Sequence, residues 1–202
     1  MDLLTLLSLV IATFVYAISP GPGLFAVLAI STRFGSIPAI WLSIGHTIGD
    51  IMYVALAMFA LNALAVLISD SMLYVKILGA SYLIFIGYQQ FRSKGVSFEK
   101  SSNKSSMTKL LIAGFIVGVT NPKTMIFYLS FLPIFIDLNN LTLATEVKVL
   151  IAIGSTVFFV LSLANILGIR LRKHIENPKT IKRINKVTGV TMILVGIFVG
   201  LY

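Results

Sequence analysis

Six long apolar runs, separated by short polar gaps, occupy most of the chain. A helix needs about 20 apolar residues to cross about 30 Å of hydrocarbon, and the runs fall at or near that length. They extend from Leu3 to about Thr32, Ile37 to Leu61, Met72 to Phe91, Lys109 to Ile136, Val147 to Ile169 and Val187 to Tyr202. At about 1.5 Å per residue the first is too long for one straight crossing, and Ser19-Pro20-Gly21-Pro22-Gly23 interrupts it. The fourth is interrupted at Asn121-Pro122-Lys123. The sixth is short, with Lys186 placed to snorkel to the interface, and Asn62 to Ser71 reads as a short interfacial connection.

Composition supports a membrane assignment. The 202 residues are 57% apolar and 11% charged, whereas soluble domains run near 45–50% and about 25%. The net charge of +9 sits in the polar gaps rather than on a basic face, which argues against nucleic-acid binding. The absence of cysteine excludes disulfides and thiolate metal sites. No basic stretch precedes the first run, so that segment is expected to be retained rather than cleaved. Thirteen Lys and Arg lie in the gaps after the first, third and fifth runs, against Lys76 and Lys148 on the other side. The positive-inside rule then makes the odd-numbered gaps cytoplasmic and places both termini outside.

The layout repeats. Residues 1–91 and 109–202 each hold three runs beginning with a proline-broken one, joined by a polar Lys- and Ser-rich linker at 92–108. Three crossings per half force the second half to enter from the opposite side. The expectation is a single all-α integral membrane domain over 1–202, with six transmembrane helices as a 3+3 inverted-topology repeat. Helices 1 and 4 are broken at proline motifs, and one repeat rocks against the other around a site at the breaks.

Proline inside a helix removes a donor and clashes with the preceding turn, and Gly21 and Gly23 permit unusual backbone angles. Unwinding there would free amides around Gly23 to Phe25, suited to a carboxylate. It would also free carbonyls around Tyr16 to Ile18, suited to an ammonium. An ordinary packing kink is the plainer reading. In the second half Pro122 opens the helix, Asn121 can bond freed backbone groups, and Lys123 lies about 20 Å from the cytoplasmic end, too deep to snorkel easily. A charge at that depth normally faces a cavity or a partner. Asp50, at similar depth in the second run, is the natural partner. Poised between desolvation and a neighbouring cation, it is a candidate for proton coupling, or an ion pair that only fixes packing. His46, four residues earlier on the same helical face, lacks further ligands for a metal site and reads as a hydrogen-bonded cavity histidine. Gly114/Gly118 and Gly196/Gly200 have the spacing of close helix packing, with a homodimer left open.

These motifs resemble the lysine exporter (LysE/RhtB) family of bacterial amino-acid exporters. The similarity rests on Ser19-Pro20-Gly21-Pro22 in the first helix, Gly49-Asp50 in the second and Asn121-Pro122-Lys123 in the fourth, with the aromatic-rich stretch to Phe131-Leu132-Pro133. Chain length, the Lys-rich middle loop and Gly79-Ala80-Ser81-Tyr82-Leu83 through Gly87-Tyr88 extend it over nearly the whole chain. Gly23 stands where many members carry Asn, and His46 is not typical at its position.

The resemblance implies a secondary exporter of amino acids or related small zwitterions in the bacterial inner membrane. Its expected partners are the lipid bilayer and a small-molecule substrate; no cofactor, metal or catalytic residue is expected. The drive would be the proton gradient or the membrane potential. Alternatives are an ion or metal exporter of related architecture, an intramembrane enzyme using His46 and Asp50, and a non-transporting membrane subunit. The site expected for transport comprises Ser19, Pro20, Gly21, Pro22, Gly23, His46, Gly49, Asp50, Asn121, Pro122 and Lys123.

Overall fold

The computed structural model of the chain describes residues 1–19, 21–68, 106–137 and 141–170. It also describes 77, 80–81, 84–85, 87–89, 91–92, 182–183, 186–187, 189–190, 193–194 and 197. Secondary structure among the described residues is entirely helical. The bounded helices are α1 (Leu3–Ile18), α2 (Pro22–Phe34), α3 (Ser36–Ile68), α4 (Met107–Val119), α5 (Pro122–Phe135) and α6 (Leu143–Arg170). Most of the third and sixth runs, Ser69–Ser71, Pro20, linker residues 93–105 and Gly196/Gly200 lie outside the described residues.

Two helical segments, Ser36–Leu61 and Leu143–Arg170, are each long and apolar enough to cross a membrane. Up to four crossings result if α1 with α2, bent by 58°, and α4 with α5, bent by 51°, each count as one. The candidate span ends at Leu61, as expected, and the helix itself continues into the following connection as far as Ile68. Asn62-Ala-Leu-Ala-Val-Leu-Ile contains no Gly or Pro to stop it.

Local chemistry explains the helix starts. Asp2 caps α1 by accepting from the Thr5 amide at 2.7 Å, and hydrogen bonds from Thr5 hold its carboxyl below the ordinary aspartate range. Pro22 and Pro122 stand at the beginnings of α2 and α5, where a missing N–H costs nothing and the fixed φ favours a helix. Asn121 caps α5 by accepting from the Lys123 amide at 3.1 Å. Gly21 begins α2 without a side-chain cap. Hydroxyls within the helices bond back one turn, as Ser43 does to Ala39 (2.8 Å) and Thr156 to Ala152 (2.7 Å), satisfying groups that lipid could not.

α6 packs against α1, α2 and α3, enclosing Val27, Leu28, Val54, Met58, Ile153, Val157 and Leu161. The outer surface is apolar as well: Leu4, Phe59 and Leu143 are each about three-quarters exposed. Such a surface is stable against lipid but not water, and the protein is a membrane protein.

The tightest packing joins α3 to α4. A methyl placed on Gly45 would collide with the Leu111 carbonyl, and one on Gly114 with the Leu42 carbonyl. Further along, Gly49 opposes the Phe115 carbonyl and Gly118 the His46 carbonyl. Two glycine pairs, each spaced four residues apart, therefore face each other and bring the backbones into contact. Gly114 and Gly118 pack within the chain. Helical residues of the third and sixth runs also meet: Gly87 and Gly189 approach backbone to backbone, and the Lys186 ammonium lies 5.5 Å from the Phe91 ring centroid.

Gly114→Leu should force α3 and α4 apart, at a cost of about 1–3 kcal/mol or more. Ala113→Leu, one residue away on the exposed side, should leave stability unchanged. Thermal unfolding of the purified full-length protein checks both; equal midpoints for the two variants would contradict the packing argument.

Candidate functional site

At the junction of α1 and α2 the chain leaves helical geometry between Ile18 and Pro22. Ser19, Gly21, Gly23, His46, Asp50, Asn121 and Lys123, all expected from the sequence, line one recess there together with Tyr16. Its cavity volume is about 20 Å³, room for one or two waters. Asp50 is fully buried, and His46 and Lys123 are 4% and 5% exposed.

Lys123 projects from the first turn of α5 to the carbonyl end of α1. Its ammonium donates to the Tyr16 carbonyl at 2.7 Å and to the Ser19 carbonyl, and lies 4.5 Å from the Tyr16 ring centroid. Tyr16 is one of the carbonyl positions expected to hold a cation. The last carbonyls of a helix lack intrahelical donors and carry partial negative charge, and the ring face adds a cation–π attraction. Lys123 is therefore hydrogen-bonded to backbone, and Asp50 has other neighbours.

The nearer Asp50 oxygen, Oδ1, accepts from the Thr124 hydroxyl at 3.4 Å, and Thr124 shares a 2.6 Å hydrogen bond with the Tyr16 hydroxyl. The other, Oδ2, lies 3.7 Å from His46 Nε2. That separation is too long for a hydrogen bond, and neither Asp50 Oδ2 nor His46 Nδ1 has a hydrogen-bond partner among the described residues. His46 is thus a buried recess histidine whose Nδ1 has no hydrogen-bond partner among the described residues. Among the described residues no three His, Cys, Asp or Glu gather as metal ligands.

Aromatic packing holds the Tyr16 end in place. The Tyr16 ring stacks on Phe127 at 4.3 Å, Phe127 on Phe131 at 4.5 Å, and Phe131 on Phe135 at 6.3 Å. These phenylalanines recur every four residues along α5, one face of the helix.

The glycines of the break serve a purpose different from the one expected. Gly21 is extended, with φ −156°, and the positive-φ residue among those described is Gly35. What Gly21 and Gly23 provide is room. A Cβ on Gly21 would stand 3.0 Å from Lys123 Cδ, and one on Gly23 would collide with the His46 ring. Gly49 belongs to the α4 contact and does not line the recess. Tyr16 through its ring and hydroxyl, and Thr124 through its hydroxyl, are site residues that sequence reasoning did not single out.

The family model described as LysE type translocator matches residues 14–202, and the chain belongs to that family. An uncharacterised membrane protein of Synechocystis sp. is 30% identical over 199 residues, covering 96% of this chain and 94% of the relative. A Vibrio cholerae membrane protein is 25% identical over 200 residues, covering 94% and 93%. The homoserine/homoserine lactone efflux protein of Salmonella typhimurium is 29% identical over 184 residues, covering 89% and 88%. No solved structure matches the chain. The family is one of translocators.

Gly23→Ala should crowd the His46 ring and destabilise the protein by about 1–3 kcal/mol. In a His46→Ala background the same change should cost much less, because the opposing ring is gone. A double-mutant cycle on thermal midpoints measures this, and additive effects would show that the two positions do not share the space.

Proposed function

We propose that the protein is a secondary exporter of amino acids or closely related small zwitterionic metabolites, moving them from the cytoplasm across the bacterial inner membrane. The observation that carries this reading is the recess at the α1–α2 break, where Lys123, Asp50 and His46 are brought together inside an apolar bundle. Buried ionisable groups of this kind in a membrane protein mark substrate or ion pathways. Helix ends at a break offer carbonyls to an ammonium and amides to a carboxylate. The named activity of the Salmonella relative points toward homoserine-like substrates.

In this reading α1 with α2 and α4 with α5 are each one broken span. Together with α3, α6 and the third and sixth apolar runs they form a six-span, 3+3 inverted repeat with both termini outside. Asp50 exchanges protons and couples export to the proton gradient, or to the membrane potential where charge moves with the substrate.

Cells loaded with dipeptides and expressing the protein should release selected amino acids, homoserine among those to be tried. Asp50→Asn and Lys123→Ala should each lower that efflux at least about tenfold, the equivalent of about 1.4 kcal/mol in the barrier, with membrane levels of the protein unchanged. Selective efflux absent across a broad amino-acid set, or undiminished in both variants, would contradict the reading. A metal exporter would instead change metal tolerance on expression.

A further inference from the structure

We infer that Lys123 is a tethered occupant of an ammonium subsite at the carbonyl end of α1, and that a zwitterionic substrate enters by exchanging with it. The substrate's primary ammonium takes the Tyr16 and Ser19 carbonyls, and its carboxylate takes the released Lys123 ammonium. This inference rests on the amino-acid export reading above and specifies how its site works.

The seat has the chemistry of a ligand site. Two backbone carbonyls and the face of the Tyr16 ring surround a primary ammonium, using the donors and the cation–π attraction that a free amine would use. The occupant comes from the other helix break, on a flexible four-carbon stem for which Gly21 leaves room. With Lys123 in place the cavity holds only one or two waters, too little room for an amino acid, and the Lys123 ammonium fills the carbonyl seat. Among the described residues, His46 Nδ1 and Asp50 Oδ2 have no hydrogen-bond partners in the recess lining, polar capacity available to a ligand.

Charge accounting selects the substrate class. Displacement by a neutral molecule or an anion would strip the Lys123 cation from its carbonyls without refilling the seat. Displacement by a simple amine would leave two cations in the recess against the single Asp50 carboxylate. A zwitterion replaces the cation on the carbonyls and supplies an anion for the released lysine, so no buried charge is left alone. The first turn of α2, without a side-chain cap at Gly21, adds amides that favour the same carboxylate. A quaternary ammonium has no N–H to donate and does not fit the seat.

Equilibrium binding to full-length protein in lipid nanodiscs tests the exchange, with radiolabelled homoserine, methylammonium and glycine betaine as probes. Wild type should bind homoserine and bind methylammonium poorly. Lys123→Met removes the competitor and should bind methylammonium at least about tenfold more tightly, the gain expected when the competent fraction rises from one in ten or fewer to nearly all. Its homoserine affinity should rise less, because the carboxylate partner is gone. Gly21→Ala, whose methyl would press on Lys123 Cδ and Nζ, keeps the lysine but loosens its seat. It should move methylammonium binding in the same direction, providing a second reading if Lys123→Met does not fold.

A folded Lys123→Met protein that gains no methylammonium affinity, while wild type binds and exports homoserine, overturns the exchange and leaves the export reading standing. Glycine betaine competing as well as homoserine would also overturn it. A methylammonium gain in Lys123→Met, with no amino acid bound or exported by wild type, supports the subsite and overturns the export reading.

Discussion

A lysine ammonium held on the carbonyl end of a helix organises the centre of this protein. Burying an unpaired ammonium costs several kcal/mol even after relaxation, so Lys123 at 5% exposure requires partners, and the surrounding structure supplies them. α1 ends at Ile18 and presents the Tyr16 and Ser19 carbonyls; α5 begins at Pro122, one residue before the lysine. Gly21 leaves room for the stem, and the column of Tyr16, Phe127, Phe131 and Phe135 fixes the ring beneath the charge.

The negative group of the site is held differently. Asp50 reaches Tyr16 through Thr124, so the carboxylate and the lysine are linked through the same tyrosine, by its hydroxyl on one side and by its carbonyl and ring on the other. The charges share a low-dielectric recess without direct contact. Such an arrangement lets either charge change partners without first breaking a strong ion pair.

Much of the architecture was legible because hydrophobic length and proline position are local signals. The second and fifth apolar runs appear as α3 and α6, and the interruptions at Pro22 and Pro122 coincide with new helices. Asp50 and Lys123 were legible as buried charges through their depth along the spans. Depth gives height but not direction around the helix axis, so the expected pairing of the two gave way to a seat on backbone carbonyls. Tyr16 and Thr124 lie 108 residues apart, and only tertiary packing joins them. The glycines of the break were read as conformational and proved spatial, since the groups they accommodate, Lys123 and His46, come from other helices. Gly45 had a visible signal, its four-residue spacing from Gly49 matching that of Gly114 and Gly118.

That glycine seam bears on how such a protein can move. α3 comes from the first half of the chain and α4 from the second, yet their backbones touch with no side chains between them to repack. A surface of that kind resists sliding but tolerates small rotations, as the pin of a hinge does. The two sequence halves therefore cannot part as independent blocks along this line. On the opposite face α6 covers α1 and α2 through side chains, a contact that can repack.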